Sequence, residues 1–115
     1  MNTKQKGDIA VSQAIAYYVS CGYEILIPLG DRKPYDLVID TGERLEKVQV
    51  KYTSTDVAGL RTHGGNKSGN SIKRYDSESF DRLFVYQATT KRRFDIPWAQ
   101  TKARSSISVK NRTHV

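Results

Sequence analysis

The chain is poor in cysteine and proline and has no long apolar stretch. Its single cysteine, Cys21, excludes an internal disulfide and a cysteine-based zinc site. A membrane-spanning helix is excluded as well, because it needs a run of about 18 or more apolar residues. Residues 1–6 lack the apolar core of a signal peptide, so we expect an intracellular protein that is not secreted. The 115 residues suffice for one domain of ordinary size.

Acidic residues are scarce in the second half of the chain. Residues 1–50 carry six Lys or Arg against seven acids, whereas residues 51–115 carry thirteen against five, within a net charge of +7. A basic half of this kind attracts polyanions, of which DNA and RNA are the commonest in a cell. A basic surface kept for solubility is the alternative. Membrane-surface binding is disfavoured, because no segment pairs basic residues with a wide apolar helical stripe.

Hydrophobic periodicity predicts a helix followed by strands. The helix is expected from about residue 4 to residue 20, capped by Asn2 or Thr3 and stopped at Gly22. Residues 54–75 predict a long basic loop, and residues 99–103 predict a short helix. We expect one domain over residues 1–104, with residues 105–115 forming an extended C-terminal segment or frayed tail. Strands are expected at 23–28, 35–40, 44–53, 81–88 and 92–98.

The turn at residues 41–42 decides which side chains share a face of the predicted hairpin. Pairing Asp40 with Leu45 across this turn places Asp36 opposite Gln49. Lys51, two residues past Gln49, projects to the same face. Three polar side chains are therefore predicted to converge near one end of the hairpin. The opposite face would be a core face formed by Tyr35, Leu37, Ile39, Val48, Val50 and Tyr52.

Asp36, Gln49 and Lys51 are the groups that a metal-dependent phosphodiesterase needs. Carboxylate and amide oxygens are hard ligands that suit Mg²⁺, which activates bound water and offsets the charge of the scissile phosphate. A lysine beside them can orient the nucleophile and stabilise the developing oxyanion. The spacing is unspecific, however, and an ordinary exposed strand face remains the alternative. In that alternative Asp36 merely satisfies backbone N–H groups after Pro34.

Two segments of the predicted hairpin resemble a known family. Pro-Tyr-Asp-Leu-Val-Ile-Asp at 34–40 and Val-Gln-Val-Lys at 48–51 resemble the PD-(D/E)XK nuclease superfamily. They are most similar to its small group I intron-associated, homing-type endonucleases, whose third motif often has Gln in place of the acid. The resemblance covers about residues 6–53 and 75–98. Further similar segments follow the same order at 6–10, 30–31, 75–76, 80–81, 85–86 and 96–98.

The resemblance implies both a fold and an activity. The fold is α/β with a restriction-endonuclease-like αβββαβ core, in which a mixed central sheet has flanking helices. The activity is that of an endodeoxyribonuclease that hydrolyses phosphodiester bonds with Mg²⁺, or with Mn²⁺ as a substitute. Asp36, Gln49 and Lys51 carry over as active-site residues. The backbone carbonyl of Val50 carries over as a further metal ligand beside Asp36 and Gln49.

Val11 is a departure from the pattern of this family. The family normally has Glu directly after the Ile-Ala of the first helix, at a position that helps to bind the metal. Asp8, about one helical turn earlier, is a substitute metal ligand in this interpretation. The alternative functions are a Holliday-junction resolvase of the same fold and a non-catalytic DNA-binding relative with a degraded site.

Basic residues outside the site are expected to hold double-stranded or branched DNA, in the cytoplasm or on the nucleoid. One small domain has one such site, so cutting both strands calls for a homodimer or a higher homo-oligomer with symmetry. The expected DNA-binding residues are Arg61, His63, Lys67, Lys73, Arg74, Lys91, Arg92 and Arg93.

Overall fold

A computed structural model of the chain describes residues 1–30, 32–60, 62–63, 72–73, 79–100 and 105–115. Its first element is helix α1, Thr3–Ser20. The Oδ1 atom of Asn2 accepts the Gln5 N–H at 2.8 Å, and Gln5 Oε1 accepts the Asn2 N–H at 2.9 Å, which forms a capping box. Gly22 follows the helix with a φ of 86°, which glycine adopts without strain. The predicted helix, its cap and its stop are confirmed.

The strands follow the helix. The described residues contain β1 (Glu24–Leu26), β2 (Leu37–Asp40), β3 (Leu45–Thr53), β4 (Val57–Gly59), β5 (Thr62–His63), β6 (Ile72–Lys73), β7 (Arg82–Gln87), β8 (Arg92–Pro97) and β9 (Ser106–Ser108). A short 3-10 helix lies at Trp98–Gln100. In the described part of the chain, no helix is long and apolar enough to cross a membrane.

Five of the strands form one mixed sheet in the order β1-β2-β3-β7-β8. β3 and β7 are parallel, and the other neighbours are antiparallel. Asp40 pairs with Leu45, and Val38 pairs with Lys47, as the turn at residues 41–42 predicts. The α/β class, the mixed central sheet and the register of the hairpin are therefore confirmed.

Each face of this sheet packs on its own apolar cluster. Helix α1 covers one face, and we call the cluster between them the helix-side core. The other face is covered by β4, β9 and the 3-10 helix, and we call that cluster the far-side core. The helix-side core contains Ala10, Ala14, Tyr18, Leu37, Ile39, Val48, Val50, Phe84 and Tyr86. The far-side core contains Ala58, Leu60, Phe80, Leu83, Val85, Phe94, Ile96, Trp98, Ile107 and Val109.

The far-side core corrects one prediction. The segment 54–75, predicted to be one loop, contains β4, β5 and β6, and β4 pairs with β9. In the C-terminal segment, Ile107 and Val109 are buried in this core. The apolar face of β7 and β8 must be covered, and alternating apolar residues of β4 and β9 cover it.

The helical content also differs from the prediction in part. The predicted helix at 99–103 begins one residue earlier, as the 3-10 turn Trp98–Gln100, and residues 101–104 lie outside the described residues. In the described residues, the crossover between the parallel strands β3 and β7 carries short strands rather than a helix. The described flanking helices are therefore α1 and the 3-10 turn.

Candidate active site

Asp36 lies just before β2 and binds the edge of β3 twice. Its backbone N–H donates to the Val48 carbonyl at 2.8 Å, and its Oδ2 atom accepts the Val50 N–H at 2.8 Å. The carboxylate thus continues the hydrogen-bond ladder between β2 and β3 beyond Leu37. Asp36 does satisfy a backbone N–H, as the structural interpretation of the sequence expected. It does so at a half-buried position rather than on an exposed face.

Gln49 and Lys51 lie on the far face of β3. The parallel register sets Gln49 beside Leu83 and Lys51 beside Val85, two residues of the far-side core. Gln49 is only 7% exposed, and its Nε2 donates to the Val50 carbonyl at 3.3 Å. Lys51 is half-buried, and its charge lowers the pKa of Asp36.

The electrostatic balance at Asp36 is unfavourable for an ionised carboxylate. Burial raises the pKa of the Asp36 carboxyl above its ordinary value of 3.8, and the hydrogen bond from Val50 and the charge of Lys51 offset only part of that rise. Burial is therefore the largest of these three effects on the Asp36 carboxyl.

The donor atoms at this place fit a hard cation. The described residues hold no group of three His, Cys, Asp or Glu side chains that could bind a metal. A metal site here would consist of the Asp36 carboxylate, the Gln49 amide oxygen and the Val50 carbonyl. Mg²⁺ commonly takes one or two carboxylates and completes its shell with water and phosphate, so this sparse set of oxygens is compatible with it. The Gln49 amide now donates to the Val50 carbonyl and would have to turn its oxygen toward the ion.

Tyr35 is not on the predicted face. It packs against the far-side core rather than beside Leu37, and the Lys47 ammonium lies 5.8 Å from the centroid of its ring. The strand β2 begins only at Leu37, so the alternation of side chains does not extend back to residues 35 and 36. Asp36 consequently reaches the site along the edge of β3, whereas Gln49 and Lys51 reach it from the far face.

Comparison with known proteins identifies the family of the chain and a similar solved structure. The sequence model for PD-(D/E)XK endonucleases matches residues 1–114. The chain belongs to the PD-(D/E)XK endonuclease family. The structure of the bacterial homing endonuclease I-Ssp6803I is similar with a TM-score of 0.80 and 30% identity, over 98% of this chain and 83% of that chain. The restriction-endonuclease-like fold is thereby confirmed, and no curated protein sequence matches significantly.

In this PD-(D/E)XK endonuclease, the first helix adds no described carboxylate to the site. Val11 is partly buried and packs against the helix-side core. Asp8 is exposed, and it projects about 160° around the helix from Ala10, which faces the sheet. No hydrogen bond joins Asp8 to Asp36 among the described residues, and the role suggested for Asp8 stays a prediction.

The basic residues predicted to bind DNA lie in three environments in the endonuclease fold. Lys91 and Arg92 are exposed at the turn between β7 and β8, where Lys91 has a φ of 59°. Arg93 is half-buried, with its guanidinium carbon 5.6 Å from the centroid of the Tyr17 ring, so it also contributes to packing. His63 and Lys73 belong to the paired strands β5 and β6. Arg61, Lys67 and Arg74 lie outside the described residues.

A charged network that the sequence analysis did not single out lies under α1. Arg82 bonds Glu46 at 2.7 Å and Asp95 at 2.9 Å, and the Tyr18 hydroxyl donates to Asp95 at 2.8 Å. Burial acts to lower the pKa of Arg82, but the carboxylates of Asp95 and Glu46 outweigh it and raise the pKa. Glu46 lies on the same core face of β3 as Val48. A charged residue at a core position of a strand is the sequence feature that could have indicated a buried ion pair.

Proposed function

We propose that the protein is a DNA endonuclease that depends on Mg²⁺ and hydrolyses phosphodiester bonds. The observation that carries the proposal is the convergence of two side chains on Val50, next to the charge of Lys51. Asp36 accepts the Val50 N–H, Gln49 donates to the Val50 carbonyl, and the charge of Lys51 lowers the pKa of Asp36. Membership in a nuclease family gives the convergence its chemical meaning.

Each residue has a defined role in this proposal. Asp36, Gln49 and the carbonyl of Val50 hold the ion, which supplies activated water and neutralises the charge on the phosphate when bound. Lys51 sets a positive charge beside the phosphate and stabilises the negative charge that develops during cleavage. Its neighbour in the sheet, Val85, is fully buried and helps to exclude water, which strengthens that electrostatic effect.

The turn between β7 and β8 extends the DNA-binding surface from the site. Lys51 and Thr53 share the far face of β3, Thr53 pairs with Gln87, and Gln87 pairs with Arg92. Arg92 therefore lies on the same face as Lys51, about 10 Å away across two strand spacings and two residues further along the strand direction. A DNA strand cut at Asp36 would pass this exposed cation. We further propose that two copies related by two-fold symmetry cut the two strands of a duplex.

The direct test is cleavage of supercoiled plasmid, linear duplex and four-way-junction DNA across a Mg²⁺ titration. We expect nicks or breaks that require Mg²⁺ or Mn²⁺ and that stop when EDTA is added. Mg²⁺ at 100 times its Kd should also raise the free energy of unfolding of the wild type by about 2.7 kcal/mol, but not that of Asp36→Asn. Cleavage that persists in EDTA would contradict the proposed metal dependence. Cutting of the junction alone would indicate a resolvase.

Asp36→Asn is expected to raise the free energy of unfolding at neutral pH. The raised pKa means that the folded state favours protonated Asp36. The stability that the protonated group contributes is fully present below pH 3.8 and is lost as the pH rises through the pKa of the folded state. Asn still accepts the Val50 N–H without burying a charge. Urea unfolding at several pH values should show the gain at neutral pH and its disappearance in acid.

Asp81→Asn is the matched control for this variant. Asp81 binds the other edge of β3 in a similar way, with its N–H on the Lys47 carbonyl and its Oδ2 accepting the Lys47 N–H, both at 2.8 Å. Asp81 is exposed, so its replacement should give no gain at neutral pH and should leave cleavage intact. A loss of stability in Asp36→Asn at neutral pH would show that Asp36 is mainly a structural cap.

A non-catalytic DNA-binding role is the second candidate, and Val11 favours it. The position that carries the family's acid is filled here by an apolar side chain in the helix-side core. Under this candidate the wild type binds duplex DNA and cuts no substrate at any Mg²⁺ concentration. Val11→Glu would then be expected to restore cleavage, whereas in an active enzyme it would mainly tighten metal binding.

A further inference from the structure

The segment between β1 and Asp36 combines exposed apolar residues with exposed cations. Ile27 is 62% exposed and Leu29 is fully exposed, so both leave apolar surface in water. Arg32 and Lys33 follow directly, are exposed, and make no ion pair with any residue in the described part of the chain. Gly30, with a φ of 86°, turns the chain between the apolar part and the basic part.

Residues 27–30 and 32–33 of this segment, which we call the 27–33 loop, border the candidate active site. β1 pairs with β2 through Leu26 and Val38. Val38 is two residues after Asp36, so the chain leaves β1 beside the start of β2. From the other end, Lys33 is three residues before Asp36, so their Cα atoms are at most about 11 Å apart.

The loop also lines an open cleft with mixed chemistry. Leu29, Gly30, Arg32 and Lys33 surround a space of about 550 Å³. The cleft thus combines the apolar side chain of Leu29 with the cations Arg32 and Lys33. This combination suits a ligand that has negative charges and apolar surface. DNA has this combination, since its phosphates attract cations while its base edges and sugars contact apolar side chains.

We propose that the 27–33 loop docks on duplex DNA beside the phosphate that is cut. Arg32 and Lys33 bind backbone phosphates, and Ile27 and Leu29 enter the adjacent groove. The inference rests on the proposed function and adds to it a second contact surface on the β1 side of the site, opposite the β7–β8 turn. A second copy of the chain is the rival occupant, but an interface over this loop would have to desolvate two exposed cations, Arg32 and Lys33.

The charge part of the proposal is tested by the double variant Arg32→Ala/Lys33→Ala. Binding of labelled duplex is measured in EDTA, so that no cleavage occurs, over a range of salt concentrations. Loss of two phosphate contacts should reduce the slope of log K against log salt by about 1.8 and weaken binding about 50-fold at 0.1 M salt. The control Lys4→Ala/Lys110→Ala removes the same charge from two exposed positions elsewhere and should retain most of the slope. Equal effects in the two double variants would overturn the proposal.

The apolar part is tested by Leu29→Ser. Leu29 is fully exposed, so the variant should fold as well as the wild type, while its affinity for duplex DNA should fall about 10-fold with an unchanged salt slope. Val19→Ser, at a residue that is 55% exposed on α1, is the control and should bind DNA normally. Unchanged DNA binding, with a shift to smaller species in sedimentation, would overturn the proposal in favour of a copy-to-copy interface.

The outcomes separate this inference from the proposed function. A wild type that cuts DNA with Mg²⁺ while all loop variants behave like their controls would refute the loop and leave the nuclease intact. Failure of the nuclease alone would appear as tight, loop-dependent DNA binding without cleavage.

Discussion

Lys51→Met is expected to lower the rate of DNA cleavage about 100-fold to 1000-fold while changing DNA affinity less than about 10-fold. The magnitude is that of removing one preorganised group that stabilises charge in the transition state. Methionine keeps most of the volume of the half-buried side chain beside Val85, so the fold should persist. The measurement is single-turnover cleavage of a plasmid, with duplex affinity measured separately by fluorescence anisotropy.

Lys110→Met supplies the control for this experiment, because it removes one exposed lysine near the end of the chain. We expect it to cut DNA at nearly the rate of the wild type. If Lys51→Met lost affinity and rate in the same proportion, Lys51 would be a DNA-binding residue without a special role in the chemistry. If both variants cut normally, the candidate site would be wrong.

The hairpin could be predicted from the sequence because two local rules determine it. The turn at residues 41–42 fixed the pairing of Asp40 with Leu45, and alternation then placed Gln49 and Lys51 on one face of β3. Alternation failed in the two residues before β2, Tyr35 and Asp36, where the strand had not yet begun. In the structure the Asp36 carboxylate takes the place of a backbone carbonyl as acceptor of the Val50 N–H. Such a contact depends on the tertiary structure, and local periodicity in the sequence does not predict it.

The pairing of β4 with β9 was missed for a different reason. The paired residues of β4 and β9 lie about 50 residues apart in sequence, and each strand has only three residues. Neither strand is long enough to show a clear alternation of apolar and polar residues within its polar segment. The apolar alternation of Ala58 with Leu60, and of Ile107 with Val109, was present. It became meaningful only with the apolar far face of β7 and β8, which needs to be covered.

The buried network at Arg82 gives the second large effect. Arg82→Met is expected to lower the free energy of unfolding by about 3–5 kcal/mol, because it leaves Asp95 buried without its cation and leaves Glu46 with only the exposed Arg44. The side chain of Glu46 is only 6% exposed and that of Asp95 only 11%. A loss of this size is a large part of the stability of an ordinary domain. Urea unfolding at neutral pH measures it.

Arg44→Met separates the buried charge from the simple loss of an ion pair. Arg44 also bonds Glu46 at 2.7 Å, but its side chain is 74% exposed, so its replacement should cost less than about 1 kcal/mol. Equal losses in Arg82→Met and Arg44→Met would show that burial is not the cause.

Replacing the whole network by apolar residues also tests whether uncompensated buried charge causes the loss in Arg82→Met. A variant that combines Arg82→Met with Glu46→Met, Asp95→Leu and Tyr18→Phe leaves neither a buried charge nor a hydroxyl without an acceptor. Buried ion pairs replaced by apolar residues of similar volume are often neutral or stabilising, so we expect much of the stability lost in Arg82→Met to return. The network would then owe its large single-mutant effect to mutual compensation of its charges. If stability stayed low, the hydrogen bonds of Arg82 and Tyr18 would themselves hold α1 on the sheet.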